Sequence, residues 1–261
     1  MKAIGIIPAR WKASRFEGKM LAEISGKPLI QYVWERAKES HVLEDLIIAT
    51  DSEKVIKAAE MFGGKAVYTS KDQPSGTDRI AEVVNAVDVE VIVNIQGDEP
   101  LIHYSMIDNL AQTLLEDKSI PMATIIRKVT DKAELENPNV VKVAVDKDGY
   151  ALYFSRYPIP YVRETASGLT QSEGSGLSQS GGGSAVFYKH IGIYAYTKDF
   201  LFTYTNLPKS PLEQAEKLEQ LRALENGYKI KTIETDYDTI GVDTPEDLKK
   251  AEEALKNVKT G

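Results

Sequence analysis

The sequence predicts an α/β fold in three layers. Helices cover both faces of a mostly parallel sheet, and the second half adds an antiparallel-rich excursion. Between Ala3 and Leu115, short apolar runs alternate with longer stretches whose apolar residues recur at helical spacing. That β-α-β-α order builds a parallel sheet with right-handed crossovers. The runs are unbroken rather than alternating with polar residues, as strands covered on both faces require. After Met122, by contrast, strand-like runs follow one another through short turns such as Asp148-Gly149, which suits antiparallel pairing.

The elements follow in order. Residues 3–7 form a buried strand bounded by Pro8. Residues 28–39 form a helix, with Leu29, Ile30, Val33, Trp34 and Ala37 on one face and Pro28 in its first turn. Residues 45–50 are a second strand, ending in Asp51-Ser52, which can cap a helix over 53–62 that Gly63-Gly64 terminates. A short strand at 66–68 leads through a loop to a helix over 78–87. Residues 90–95 give the clearest strand pattern, and a helix over 104–115 follows. The second half reads as strands at 122–127, 140–145, 151–154 and 188–196, one long amphipathic helix over 211–226, a strand at 229–235, and a capped helix over 244–257. Residues 165–184 stand apart. They are rich in Ser, Gly, Gln and Thr without aromatics, and resemble either an engineered linker or a natural flexible loop. The alternation otherwise runs as a single domain over residues 1–261.

Composition narrows the function classes. At 261 residues, 42% apolar and 27% charged, the chain has the makeup of an ordinary globular protein. A net charge of -7 argues against a general nucleic-acid binder. The absence of cysteine excludes disulfides and thiol catalysis, and only three histidines make a His-rich zinc site a poor expectation. No apolar run has membrane-spanning length, and the N-terminus lacks a secretory apolar segment. These features together read as a cytoplasmic protein.

Three stretches carry chemistry. Arg10, Lys12, Arg15 and Lys19 cluster just past the first strand, where a doubly wound sheet places its ligand, with Glu17 the one acid among them. Such a loop suits a polyphosphate, although a solvated basic loop reads the same way. Pro74-Ser75-Gly76-Thr77-Asp78-Arg79 joins a strand to a helix. Ser75 or Thr77 can cap that helix, and the turn's backbone could read a nucleobase edge. Gln96-Gly97-Asp98-Glu99-Pro100 puts acids at the end of a buried strand, a hard oxygen site of the kind Mg²⁺ takes. Asp243, before Thr244-Pro245-Glu246-Asp247, either caps the last helix or joins Asp98 as a second carboxylate. Cations, a glycine-bearing turn and carboxylates together describe phosphoryl or nucleotidyl transfer. No Walker sequence is present.

These stretches, with Ile7-Pro8-Ala9-Arg10, Gly18-Lys19, Tyr153-Phe154-Ser155-Arg156, Lys189-His190-Ile191-Gly192-Ile193-Tyr194, Ser210-Pro211-Leu212-Glu213-Gln214 and Leu218-Glu219-Gln220-Leu221-Arg222, closely resemble the 3-deoxy-manno-octulosonate cytidylyltransferases of the sugar nucleotidyltransferase superfamily. The resemblance runs nearly end to end and is specific as a set. It implies a Rossmann-like nucleotidyltransferase fold, CTP and the acidic sugar 3-deoxy-manno-octulosonate (Kdo) as substrates, Mg²⁺ as cofactor, and a homodimer. The roles it implies follow the motifs. Arg10 and Lys19 lie on the triphosphate, and Arg15 near phosphate or sugar acid. Ala9, Pro74, Ser75, Gly76, Asp78 and Gln96 frame the nucleoside, and Asp98 and Asp243 hold the metal. Arg156, His190, Tyr194, Glu213, Gln214 and Glu216 serve the sugar. Read alone, a histidine on a strand beside Ile191 and Ile193, as His190 is, is more often a satisfied core residue. Glu213 and Glu216, three apart on the predicted helix, can point into one pocket. The sequence departs from the family at Glu17 and Met20, where proline is usual, and in its Gly/Ser-rich segment.

Overall fold

The computed structural model describes residues 2–11, 16–163, 170–171, 177–178 and 185–258. In chain order the elements are β1 (Ala3–Ala9), a 3₁₀ turn (Lys19–Leu21), β2 (Glu23–Ile24), β3 (Lys27–Pro28), α1 (Leu29–Lys38), β4 (Leu43–Thr50), α2 (Glu53–Met61), β5 (Lys65–Tyr68), α3 (Gly76–Val84), β6 (Val91–Asn94) and α4 (Tyr104–Glu116). There follow β7 (Met122–Lys128), α5 (Lys132–Glu136), β8 (Lys142–Val145), β9 (Ala151–Ser155), β10 (Thr170–Gln171), β11 (Leu177–Ser178), β12 (Tyr188–Thr197), α6 (Lys198–Asn206), α7 (Pro211–Glu216), α8 (Leu221–Glu225), β13 (Ile230–Glu234) and α9 (Pro245–Val258). The chain forms two compact units. One comprises Met1–Ser119, Ile193–Asn206 and Tyr237–Gly261; the other comprises Ile120–Gly192 and Leu207–Asp236.

In the first unit β1 is the central strand. It runs parallel to β4 on one side (Ile6 opposite Ile47) and to β6 on the other (Ile6 opposite Asn94), and β5 continues the sheet beyond β4. The end of β12 closes the far side antiparallel to β6, Tyr194 opposite Asn94. The strand predicted to stop at Pro8 continues to Ala9. The reason lies in the register. The Ile6 carbonyl accepts from Ile95 on the β6 side, so Pro8, two residues on, turns its donor-less nitrogen the same way, past the end of β6. No ladder bond is lost there. The α1 face expected from its spacing is buried. A second cluster, Ile24, Leu29, Tyr32, Val242, Ala251 and Leu255, anchors α9 and the segment preceding it.

In the second unit β7 pairs parallel with β13. β8 pairs antiparallel with β9 and with the start of β12, the excursion that the short turns predicted. The long helix expected over 211–226 is instead broken into α7 and α8. Lys217 sits in the left-handed region (φ 56). The break turns α8 back so that the buried Arg222 guanidinium meets the Glu213 carboxylate at 2.6 and 2.8 Å. Within the Gly/Ser-rich segment, β10 and β11 pair antiparallel, and its other residues lie outside those described. Among the described residues, no helix is long and apolar enough to cross a membrane.

Candidate active site

The site in the first unit is built on the carboxyl ends of β1, β4 and β6. After β1 the chain closes on itself: Gly18 N–H donates to the Trp11 carbonyl at 3.1 Å, with Gly18 in the left-handed region (φ 69). A Cβ at Gly18 would lie 3.2 Å from the Trp11 ring, so glycine is required on both counts. The 3₁₀ turn that follows carries Lys19, which is only 5% exposed. Its ammonium donates to Asp98 Oδ2 at 2.6 Å and to Asp243 Oδ1 at 3.1 Å. Burial alone would lower the Lys19 pKa, but the two carboxylates outweigh it and raise the group above 10.5.

Each carboxylate is placed by its neighbours. Asp98 follows Gly97, where a Cβ would meet Met20 Sδ at 3.0 Å and the Pro8 carbonyl at 3.1 Å. Only glycine lets this turn approach β1 so closely. Val242, fully buried, donates its N–H to the Asp98 carbonyl at 2.9 Å, so the segments bearing Asp98 and Asp243 are joined through backbone. Of the two roles open to Asp243, the structure shows the meeting with Lys19. Thr244 is the cap: its hydroxyl accepts from Asp247 N–H at 3.2 Å, and the Asp247 carboxylate reaches back to accept from Thr244 N–H (3.1 Å) and hydroxyl (2.9 Å), while Asp243 turns to Lys19.

The Pro74–Asp78 turn begins α3. Ser75 is the N-cap: its hydroxyl accepts from Asp78 N–H at 3.1 Å and donates to the Asp78 carboxylate. The Ser75 and Asp78 side chains thus serve each other, while Gly76 lies against Pro8. Ala9 is wholly buried. Gln96, half-buried past β6, donates to Asn94 Oδ1 at 3.3 Å. Arg10 keeps its Nη2 buried without a hydrogen-bond partner among the described residues. Arg15 lies outside those residues.

Asp51 differs from its expected capping role. Ser52 occupies the α2 cap without a side-chain bond. Asp51 instead accepts from Trp11 N–H at 2.9 Å and from Arg79 at 3.2 Å. The motif reading passed over both Asp51 and Arg79. The available signal was position alone, an acid at a strand's carboxyl end and an arginine inside the 74–79 motif.

In the second unit, Arg156 and Glu216 are brought together. Glu216 accepts from the Ser155 hydroxyl at 2.9 Å and from Arg156 N–H at 3.0 Å. The Arg156 guanidinium donates to the carbonyls of Glu216 (2.7 Å) and Pro138 (3.1 Å). Glu213 does not share that pocket. It forms a capping box with Ser210 and is paired with Arg222. Burial would raise its carboxyl, but Arg222 and the Ser210 N–H hold it below the usual range. Gln214 is exposed and donates to the Lys209 carbonyl at 3.4 Å. His190 packs edge-on against Phe154 with Nε2 2.9 Å from Thr124 Oγ1, and burial pushes it down to about 3, so it is neutral at pH 7. Tyr194 belongs to the first unit, half-buried and stacked near Tyr196.

Comparison with known proteins fits this arrangement. The cytidylyltransferase family matches residues 4–233. The chain belongs to the cytidylyltransferase family. A 3-deoxy-manno-octulosonate cytidylyltransferase of Geotalea uraniireducens is 48% identical over 256 residues, 98% of this chain and 100% of that protein. One from Fusobacterium nucleatum is 47% identical over 257 residues, 98% of each. The solved structure of a CMP:2-keto-3-deoxy-manno-octonic acid synthetase complexed with CTP is 41% identical. It superimposes with a TM-score of 0.87 and covers 98% of this chain and 99% of that one. A cytidylyltransferase from Leptospira borgpetersenii, 16% identical with a TM-score of 0.63 over 98% of this chain and 87% of its own, shares the fold. Met20 is buried against Gly97, and Glu17 accepts from the Trp11 indole at 3.1 Å.

Proposed function

We propose that this cytidylyltransferase transfers CMP from CTP to the anomeric hydroxyl of Kdo, releasing pyrophosphate. The observation that carries the reading is the meeting of Lys19, Asp98 and Asp243 at one point, in a chain whose 48% identical relative is named for this activity. The anomeric hydroxyl gives up its proton to solvent and its oxygen attacks the α-phosphorus; a new P–O bond forms, and the bond to the bridging oxygen breaks with pyrophosphate leaving. Arg10 and Lys19 offset the charge on the leaving phosphates. The Arg10 Nη2 atom, buried without a partner among the described residues, is the kind of donor an anion satisfies. Backbone groups of the Pro74–Gly76 turn, with Gln96, frame the cytosine and ribose. Arg156, with Glu216 beside it and neutral His190 as a hydrogen-bonding group, receives the sugar acid. Gln214, in the same unit, completes that role.

The donor set suits a hard dication. Two carboxylates converge, and among the described residues no cluster of three or more His, Cys, Asp or Glu offers a fuller cage. Mg²⁺ takes one or two protein carboxylates and fills the rest of its shell with phosphate and water oxygens. Asp98 and Asp243 would hold it, and it supplies charge neutralisation of the triphosphate. The reading extends to a homodimer in the cytoplasm whose product feeds lipopolysaccharide assembly.

Pyrophosphate release, measured with CTP, UTP and GTP against a panel of acidic sugars, tests the proposal. Turnover with CTP and Kdo above every other pair is expected. A preference for 8-amino-Kdo or a sialic acid would move the acceptor. Faster turnover with UTP or GTP would move the donor, and nucleotide binding without product would mark a non-catalytic module.

A further inference from the structure

Arg79 is wholly buried, yet the proposed reaction gives it no part. Its guanidinium donates to the Thr69 hydroxyl and, at 3.2 Å, to Asp51 Oδ2. The other oxygen of the same carboxylate accepts the backbone N–H of Trp11 at 2.9 Å. One side chain therefore fastens the end of β4 both to α3 and to the residue directly after Arg10. α3 is the helix that Ser75 caps, so Asp51 ties the nucleoside turn to the phosphate-facing end of β1. Arg10, Trp11 and Asp51 also line one cavity of about 740 Å³, with Lys54, Tyr68 and Lys71. That is a volume in the range of small-molecule sites. The two arginines are near enough that Arg10, added to burial, depresses the Arg79 pKa. The Asp51 carboxylate offsets that repulsion.

We propose that Asp51, backed by Arg79, is a positioning residue for the triphosphate: it fixes the Arg10–Trp11 backbone relative to α3 and so aims Arg10 at the β- and γ-phosphates. The proposal rests on the nucleotide reading above. Its geometry sets the test. A carboxylate accepts at both oxygens, whereas an amide has one acceptor and one donor. In Asp51→Asn, either Trp11 N–H or the Arg79 guanidinium therefore faces an amide N–H, and one of the two ties is lost.

Titration calorimetry with CTP and with CMP, in the presence of Mg²⁺, separates positioning from support of the fold. CMP lacks the phosphates that Arg10 serves. Asp51→Asn should weaken CTP binding about tenfold while CMP binding changes by less than about twofold, the loss of one charge-assisted contact. Equal weakening of both ligands, or of neither, overturns the proposal. Should Asp51→Asn fail to fold by circular dichroism, Trp11→Pro compared with Trp11→Ala removes the N–H donor, while also fixing φ at residue 11 and restricting residue 10. The same CTP-selective loss is expected, and equal affinities in the two variants overturn it. Failure of the unmodified protein to bind CTP would instead remove the nucleotide reading, and with it this inference.

Discussion

Lys19→Met removes the charge at the centre of the site while keeping an apolar stem. Two bonds go with it. The one to Asp98 joins a side chain 7% exposed to one 27% exposed, and a charge-assisted bond of that kind is worth about 1.5–3 kcal/mol. The one to Asp243 involves a carboxylate 58% exposed, and solvent screening leaves about 0–1 kcal/mol. The ammonium's desolvation offsets part of the sum, so the net loss is about 2–3 kcal/mol. At roughly 2–4 °C per kcal/mol for a chain of this size, Tm should fall by about 4–12 °C. The rate of pyrophosphate release should fall by about two to three orders of magnitude, as for loss of a contact to developing charge. Because the carboxylates lose their internal cation, added Mg²⁺ should raise the variant's Tm more than the wild type's. The linkage has a definite sign. Lys19 titrates higher when folded than the ordinary 10.5. Its contribution is fully present below that pH and disappears as pH rises through the folded value. The Tm gap between wild type and variant should therefore hold constant from about pH 6 to 9 and close only in strong alkali. A gap under about 1 °C, or one that closes near neutrality, refutes the ion-pair reasoning; a rate within about threefold of wild type refutes the catalytic one.

Asp98→Asn should lower Mg²⁺-dependent turnover by at least about a hundredfold with a smaller Tm loss than Lys19→Met, since the amide oxygen still accepts from Lys19 and Asp243 remains; turnover near the wild-type rate would detach Asp98 from the metal. Arg222→Met strands the Glu213 carboxylate, whose side chain is 10% exposed, and should cost roughly 3–5 kcal/mol, read as a lower urea midpoint. If stability held, the pair would not be what breaks the 211–226 helix. His190 is depressed from 6.5 to about 3 when folded, so its imidazole resonances should not titrate between pH 5 and 8. Its effect on stability is nil above the unfolded pKa and unfavourable as pH falls from 6.5 toward 3. An NMR midpoint near 6.5 would count against its burial.

The layers and their order were legible because burial on both faces leaves a plain mark: β1 is an unbroken apolar run, β6 one with Asn94 its only polar residue, and α1 shows its buried face in Leu29, Ile30, Val33, Trp34 and Ala37. What escaped was decided by partners distant in sequence. Nothing local in residues 211–226 breaks a helix, and the break follows from the Glu213–Arg222 pair. Pro8 reads as a strand end, yet β1 continues because β6 has already turned away on the side that would need its N–H. The division into two units was equally hidden, since each is assembled from separate stretches of chain.

The site shows the same contrast. Asp98 and Lys19 were legible from position, an acid and a cation just past buried strands. Asp243 was ambiguous, because an aspartate before Thr-Pro-Glu satisfies the pattern for a helix cap. The ambiguity was resolved by the next residue, Thr244, whose hydroxyl accepts from Asp247 N–H at the helix start, and by Val242, whose burial and bond to the Asp98 carbonyl place Asp243 beside Lys19. A single ammonium between two carboxylates leaves that cluster net negative, an odd host for a triphosphate unless a further cation accompanies the nucleotide. On the proposed reading, the aspartates then serve an accompanying dication, and Lys19 and Arg10 the phosphates.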